Sequence, residues 1–168
     1  DEIDAVGRQR GAGLGRGQYG LCQDDVGRLY YNYNSDLLRT DLLPAGAFAR
    51  NPLLRDVTSI NSRVVTNQAV FPIHPTPGVN RGYDANTLRP DGTLAKATAT
   101  CGAVVYRGDL FGPAFRGNAF IPEPSANLVK RIVLTEKNGV VTGEAAVPGQ
   151  EFLASTDERF RPVQIVNG

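Results

Sequence analysis

The sequence predicts an all-β fold of short antiparallel strands. Three observations carry this. Eleven prolines and nineteen glycines in 168 residues favour turns over long helices. The apolar and aromatic runs are brief and bounded by turn residues. In the last third, strand-like runs recur at hairpin spacing, with Lys137-Asn138-Gly139 supplying turn chemistry of the kind that joins antiparallel strands.

Each element follows from its local composition. Residues 1–17 are glycine-rich and form a loop. QYGLCQDD and GRLYYNYN flank Asp24-Asp25-Val26-Gly27, which makes a hairpin. Residues 36–55 differ: Leu37, Leu38, Leu42 and Leu43 recur at helical spacing before Pro44, predicting a short helical insertion. Strand texture returns in SRVVTNQAVFPI, residues 62–73. Residues 74–98 form a long loop, a kind usually functional or packed by its own side chains. CGAVVYRG, NAFIPEP, ANLVKRIVLTE and VVTGEAAV are then successive strands, with a turn at 109–117 around Gly112-Pro113. FRPVQIVNG is a final strand.

Four antiparallel strands in about 45 residues is the period of a β-propeller blade, and a β-sandwich is the competing arrangement. The expected organisation is one domain over residues 1–168. A first blade region occupies 18–73, the best-defined blade 99–148, and the start of another 149–168, giving about three blades. No methionine occurs, and the chain stops at Asn167-Gly168, a pair that normally opens a turn. It is therefore expected to be a piece of a longer protein.

Composition narrows the function classes. Hydrophobic residues make up 41% and charged residues 21% of the chain, as in ordinary globular proteins. A net charge of +1 gives no electrostatic case for nucleic acid or an anionic membrane surface. No apolar run approaches the roughly 20 residues of a transmembrane helix. Cys22 and Cys101 could pair in an oxidising compartment or be two small buried hydrophobes; neither belongs to a CxxC or CxxCH pattern.

Five motifs bear on chemistry. Gly15-Arg16-Gly17-Gln18-Tyr19-Gly20 fits G-x-G-x-x-G, but a loop precedes it and a hairpin follows, so no helix N-terminus faces a pyrophosphate. His74, the single histidine, lies in a proline-flanked loop and is a weak candidate for catalysis. The acidic pairs Asp24-Asp25 and Asp157-Glu158 suit turn or cap chemistry better than calcium, which takes about six to eight oxygens. Arg159 and Arg161 share parity on the expected last strand, so alternation would send both to one face, roughly 6.5–7 Å apart. Two neighbouring guanidinium groups suit a carboxylate ligand; the alternative is a solvated face, or pairing with Glu151, Asp157 and Glu158.

Tyr106-Arg107-Gly108-Asp109, Pro113, Arg116-Gly117 and Gly139-Val140-Val141 lie in an order that resembles a blade of the glucose/sorbosone dehydrogenase family of six-bladed β-propellers. Arg159-Phe160-Arg161-Pro162-Val163 resembles the family's Arg-aromatic-Arg-Asp-Val motif, with Pro162 in place of the aspartate. GQYGLCQDDVGRLYYNYNSD, PGVNRGY, CGAVVYRGDLF, GNAFIPEPSANLVKR and EFLASTDERFRPV extend the likeness over most of the chain. They resemble a bacterial branch of membrane-bound dehydrogenases that often carry a C-terminal cytochrome c domain.

That resemblance implies a periplasmic, secreted or membrane-associated oxidoreductase. It would oxidise a sugar or alcohol by hydride transfer to pyrroloquinoline quinone (PQQ). Calcium would be held largely by backbone carbonyls, and a cytochrome c domain, with haem outside this chain, or another acceptor would take the electrons. Arg159 and Arg161 would hold the cofactor's carboxylates. In the PQQ-dependent glucose dehydrogenases a lysine in the segment matching Pro122–Ala126 also contacts the cofactor; here Ser125 takes that place. The family's catalytic His–Asp pair and His-Arg-Asn-Pro motif belong to earlier blades and have no match here, so this piece alone is expected to be inactive. The rival expectation is a non-catalytic propeller that binds carbohydrate or a protein partner.

Overall fold

Turn chemistry and strand pairing produce an all-β structure. A computed structural model describes residues 20–42, 59–76 and 86–168. Residues 1–17, most of the G-x-G-x-x-G run and the greater part of the expected helical insertion lie outside the described residues. Nine strands are present among them: β1 (Cys22–Gln23), β2 (Leu29–Tyr33), β3 (Asp36–Thr40), β4 (Ser62–Arg63), β5 (Val104–Val105), β6 (Ala119–Glu123), β7 (Leu128–Lys137), β8 (Val140–Ala145) and β9 (Leu153–Ala154).

The strands form two antiparallel sheets. The first has the order β1-β2-β3-β4. The second runs β5-β6-β7-β8, and β9 joins β7 at Leu128 and Val129, beyond the point where β8 stops pairing. Each run of four is therefore a simple meander. The sheets share one core, to which Tyr30, Leu37, Leu38, Val64 and Val65 contribute from one side and Val105, Ala119, Ile121, Leu128, Ile132 and Val141 from the other. They meet directly where Gly143 N–H donates to the Val64 carbonyl at 2.8 Å. Burying a leucine fully stabilises the fold by roughly 1.5–3 kcal/mol, and Leu37, Leu38, Leu94 and Leu128 are all fully buried.

The expected turns are present. Asp24 Oδ1 accepts from the Val26 and Arg28 amides and shapes the β1–β2 hairpin. Asn138 and Gly139 adopt φ of 54° and 77°, the left-handed pair that a two-residue hairpin needs between β7 and β8. Of the expected long loop, residues 77–85 lie outside the described residues; in 86–98, Thr87, Leu94, Ala97 and Thr98 are buried, and Leu94 and Ala97 join the shared core.

Three expectations are corrected. Residues 36–40 are strand, not the start of a helical insertion. Leu37 and Leu38 lie on opposite faces of β3 and both are buried, so an unbroken apolar run imitates a helical one. FRPVQIVNG is not a strand: residues 160–168 carry no ladder. They run instead beside the outer edge of β5, where Ile165 N–H donates to the Gly102 carbonyl at 3.1 Å. Asn167 completes the cover, donating to the Val105 carbonyl and accepting from Arg107 N–H. Gly102 permits this approach because a Cβ there would overlap the Val163 carbonyl and Gln164 Cα. Residues 149–168 therefore complete the second sheet and shield its edge, and two sheets rather than three blades are present among the described residues.

Candidate functional site

The sequence-derived candidates Arg161 and Ser125 lie at one corner of the second sheet, and Arg159 lies two residues before Arg161 in the loop that docks there. The corner is built from a single 3-10 turn, Pro124–Ala126, between β6 and β7. Pro124 favours such a start because its ring fixes φ. Asn127 ends it in the left-handed region at φ 55°. Beneath the turn, the fully buried Glu123 accepts from the amides of Thr98, Ala99 and Ser125. That carboxylate satisfies backbone donors that would otherwise be buried without partners.

The arginine loop docks on this turn through two side chains. Asn127 Nδ2 donates to the carbonyls of Phe160 at 2.7 Å and Glu158 at 3.3 Å. Arg161 Nε donates to the Glu158 carbonyl at 2.8 Å, and its Nη1 reaches the Pro124 carbonyl at 3.0 Å. Asp157 Oδ1 accepts from Arg159 N–H at 2.9 Å and closes the loop, which is the turn role expected of that acid.

The arginines are not arranged as strand neighbours. Arg159 lies in a turn and Arg161 in irregular chain, so the alternation that would place both on one face does not operate. Neither forms an ion pair with Asp157 or Glu158. Glu151, the third acid expected as a partner, is committed elsewhere, to Lys130 at 2.9 Å. Arg161 therefore gives its donors to neutral carbonyls, and its charge is not cancelled by a contacting carboxylate. The loop carries two exposed arginines, of which Arg161 is held to the serine-bearing turn, and guanidinium groups suit carboxylates electrostatically.

His74 stands apart from this corner. Its Nε2 is buried without a partner among the described residues, and no hydrogen bond joins it to Arg159, Arg161 or Ser125. Among the described residues no three of His, Cys, Asp and Glu group as metal ligands. Calcium held by backbone carbonyls would leave no such mark. Both cysteines carry free thiols, Cys101 buried and Cys22 partly so.

Two features escaped the sequence reading. Asn127 reads as an ordinary turn residue until its amide is seen to hold the arginine loop. Lys130 and Glu151 form an ion pair whose side chains are 2% and 1% exposed. Glu151 Oε1 also accepts from Phe71 N–H at 2.9 Å, while Oε2 has no partner. Burial pushes the Glu151 carboxyl above its ordinary range; Lys130, the Phe71 amide and Arg89 oppose that rise. The signal was available in LVKRI: Lys130 has the parity of Leu128 and Ile132, and both point into the core.

A second charged region surrounds a cleft of about 230 Å³ between the β1–β2 hairpin and the β7–β8 hairpin. Arg28, Arg107, Asp24, Asp25 and Glu136 line it. Its charges are mutually paired, with Arg107 on Asp25 at 2.6 Å and Arg28 on Glu136 at 2.8 Å. Among the described residues that line it, no buried side-chain donor or acceptor lacks a partner.

The fold and corner define an all-β protein of paired antiparallel meanders with a guanidinium-bearing loop at one sheet end. The chain belongs to the family described as a domain of unknown function (DUF7133), which it matches over residues 4–168. No curated protein and no solved structure matches it.

Proposed function

We propose that the two meanders are neighbouring blades of a β-propeller of the glucose/sorbosone dehydrogenase type. In this reading the corner at Ser125, Arg159 and Arg161 holds a carboxylate of PQQ in a periplasmic or secreted sugar or alcohol dehydrogenase. The observation that carries the reading is the Arg161 guanidinium, held against the Ser125 turn without a contacting carboxylate, with exposed Arg159 two residues away in the same loop. Two face-packed four-stranded meanders sharing a core support the blade assignment.

When bound, PQQ would supply the hydride acceptor for oxidation of a substrate hydroxyl. This chain's part would be to orient the cofactor and to offset negative charge as it is reduced. Calcium, electron transfer to a cytochrome c domain or other acceptor, and the catalytic base would involve groups outside this corner.

The second reading is a non-catalytic propeller that binds carbohydrate or a protein partner. It draws on Ser125 in the place of the cofactor lysine, and on the exposed rings of Phe111 and Phe152, whose centroids lie 6.0 Å apart. Titration of the full-length protein with PQQ and calcium, followed by the quinone absorbance, separates the two. The dehydrogenase reading expects saturable binding that weakens in an Arg159→Ala/Arg161→Ala double variant. Absence of binding by the wild type, or unchanged affinity in the double variant, would sink it.

A further inference from the structure

We infer that the two arginines of the corner have different roles: Arg161 is a positioning residue that staples the loop to the turn, and Arg159 supplies the guanidinium that meets the ligand's carboxylate. This rests on the carboxylate-binding reading above and divides a role that the resemblance gives to both arginines.

The geometry at Arg161 points to the staple. A guanidinium grips a carboxylate with two parallel N–H groups, either side-on through Nε and one Nη or end-on through both Nη. Arg161 Nε already donates to the Glu158 carbonyl and Nη1 to the Pro124 carbonyl. The side-on fork has thereby lost its Nε donor, and one of the two Nη1 N–H groups is engaged. The Nη1 bond joins positions 37 residues apart in sequence and fixes the loop against the 3-10 turn, while the Nε bond braces the loop internally. Asn127 Nδ2 reinforces them from the turn side, sharing the Glu158 carbonyl and adding that of Phe160.

Arg159 is the complement. Its backbone is fixed by the Asp157 side chain at 2.9 Å. Its exposed guanidinium donates to nothing among the described residues. A fixed backbone spares the cost of ordering the loop when an anion binds, leaving only the side chain's rotamers to be ordered.

The test uses the full-length protein and PQQ as the probe. Binding is followed by quinone absorbance, and amide hydrogen exchange over residues 155–162 is measured without ligand. Arg159→Gln should weaken PQQ binding roughly tenfold or more, as loss of a charged hydrogen bond does, while loop exchange stays at the wild-type rate. Arg161→Ala should speed loop exchange about tenfold and weaken binding with it. Arg161→Gln keeps an N–H for a carbonyl but no charge, so it should restore most of both. Raising the salt concentration should cost Arg159→Gln less affinity than wild type.

Arg161→Gln binding as poorly as Arg159→Gln, with wild-type loop exchange, overturns the division. So does an Arg161→Ala loop as protected as wild type, a result read without ligand. Wild-type protein that binds no PQQ sinks the carboxylate reading itself and the role given to Arg159, while the staple is still judged by exchange.

Discussion

Removing one partner from the Lys130–Glu151 pair should expose how much this fold relies on it. Both side chains are almost wholly buried and 2.9 Å apart. In Lys130→Met, Glu151 keeps the Phe71 amide but loses its contacting cation. The carboxyl can then escape its buried charge by taking up a proton. At pH 7, which is 2.5 units above its ordinary value of 4.5, that costs about 3.4 kcal/mol at roughly 1.36 kcal/mol per unit. This sets an upper scale, because Arg89 still attracts the carboxylate. It agrees with the roughly 3–5 kcal/mol expected on breaking a buried pair.

The sign of the pH dependence follows. A carboxyl held above its ordinary range binds its proton more readily in the folded state than in the unfolded state. Its stabilising contribution is present in full below pH 4.5 and is lost as pH rises through the raised value. Lys130→Met should raise that value further, so its cost should be small near pH 4.5 and grow towards pH 7. Glu151→Leu strands a buried ammonium without its partner and should cost roughly 3–5 kcal/mol. The double variant Lys130→Met/Glu151→Leu should return close to wild type or exceed it. Urea denaturation of the four proteins at several pH values gives the coupling energy directly. Additive single variants, each costing under about 1 kcal/mol, or a Lys130→Met cost that does not grow between pH 4.5 and pH 7, would refute the reasoning.

Two further predictions concern the terminal segment and the thiols. Gly102→Ala should destabilise by about 1–3 kcal/mol, and should speed hydrogen exchange at Ile165, because the new Cβ meets the Val163 carbonyl and Gln164 Cα; wild-type protection would show that the segment does not depend on that approach. Burial pushes the thiols of Cys22 and Cys101 up to about 11. At pH 8 both should alkylate roughly a hundredfold more slowly in the folded protein than in urea, and a fast-reacting thiol in the native state would contradict the burial.

Much of the fold was legible locally. Asp24 to Gly27 and Asn138-Gly139 announce their hairpins because side-chain capping and left-handed backbone act within four residues. The β5–β8 meander follows, since short turns leave antiparallel pairing as the nearest solution. The arginines were singled out by residue type and spacing, and the corner does bring Arg161 to the Ser125 turn. The stated reason failed, however: parity orders side chains only within a strand, and residues 158–161 are not one.

The sequence by itself determined the all-β class, the hairpins and the candidate residues, because each rests on local backbone preference. Only the tertiary structure decided whether Leu37-Leu38 was helix or strand, since a segment buried on both faces has no polar side to mark its period. It also chose the partners. Glu151 takes Lys130 instead of the nearby arginines, Asn127 holds a loop that follows it by some 30 residues, and Asn167 shields β5. Such choices depend on which groups burial leaves unsatisfied together, and that is known only once the chain has packed.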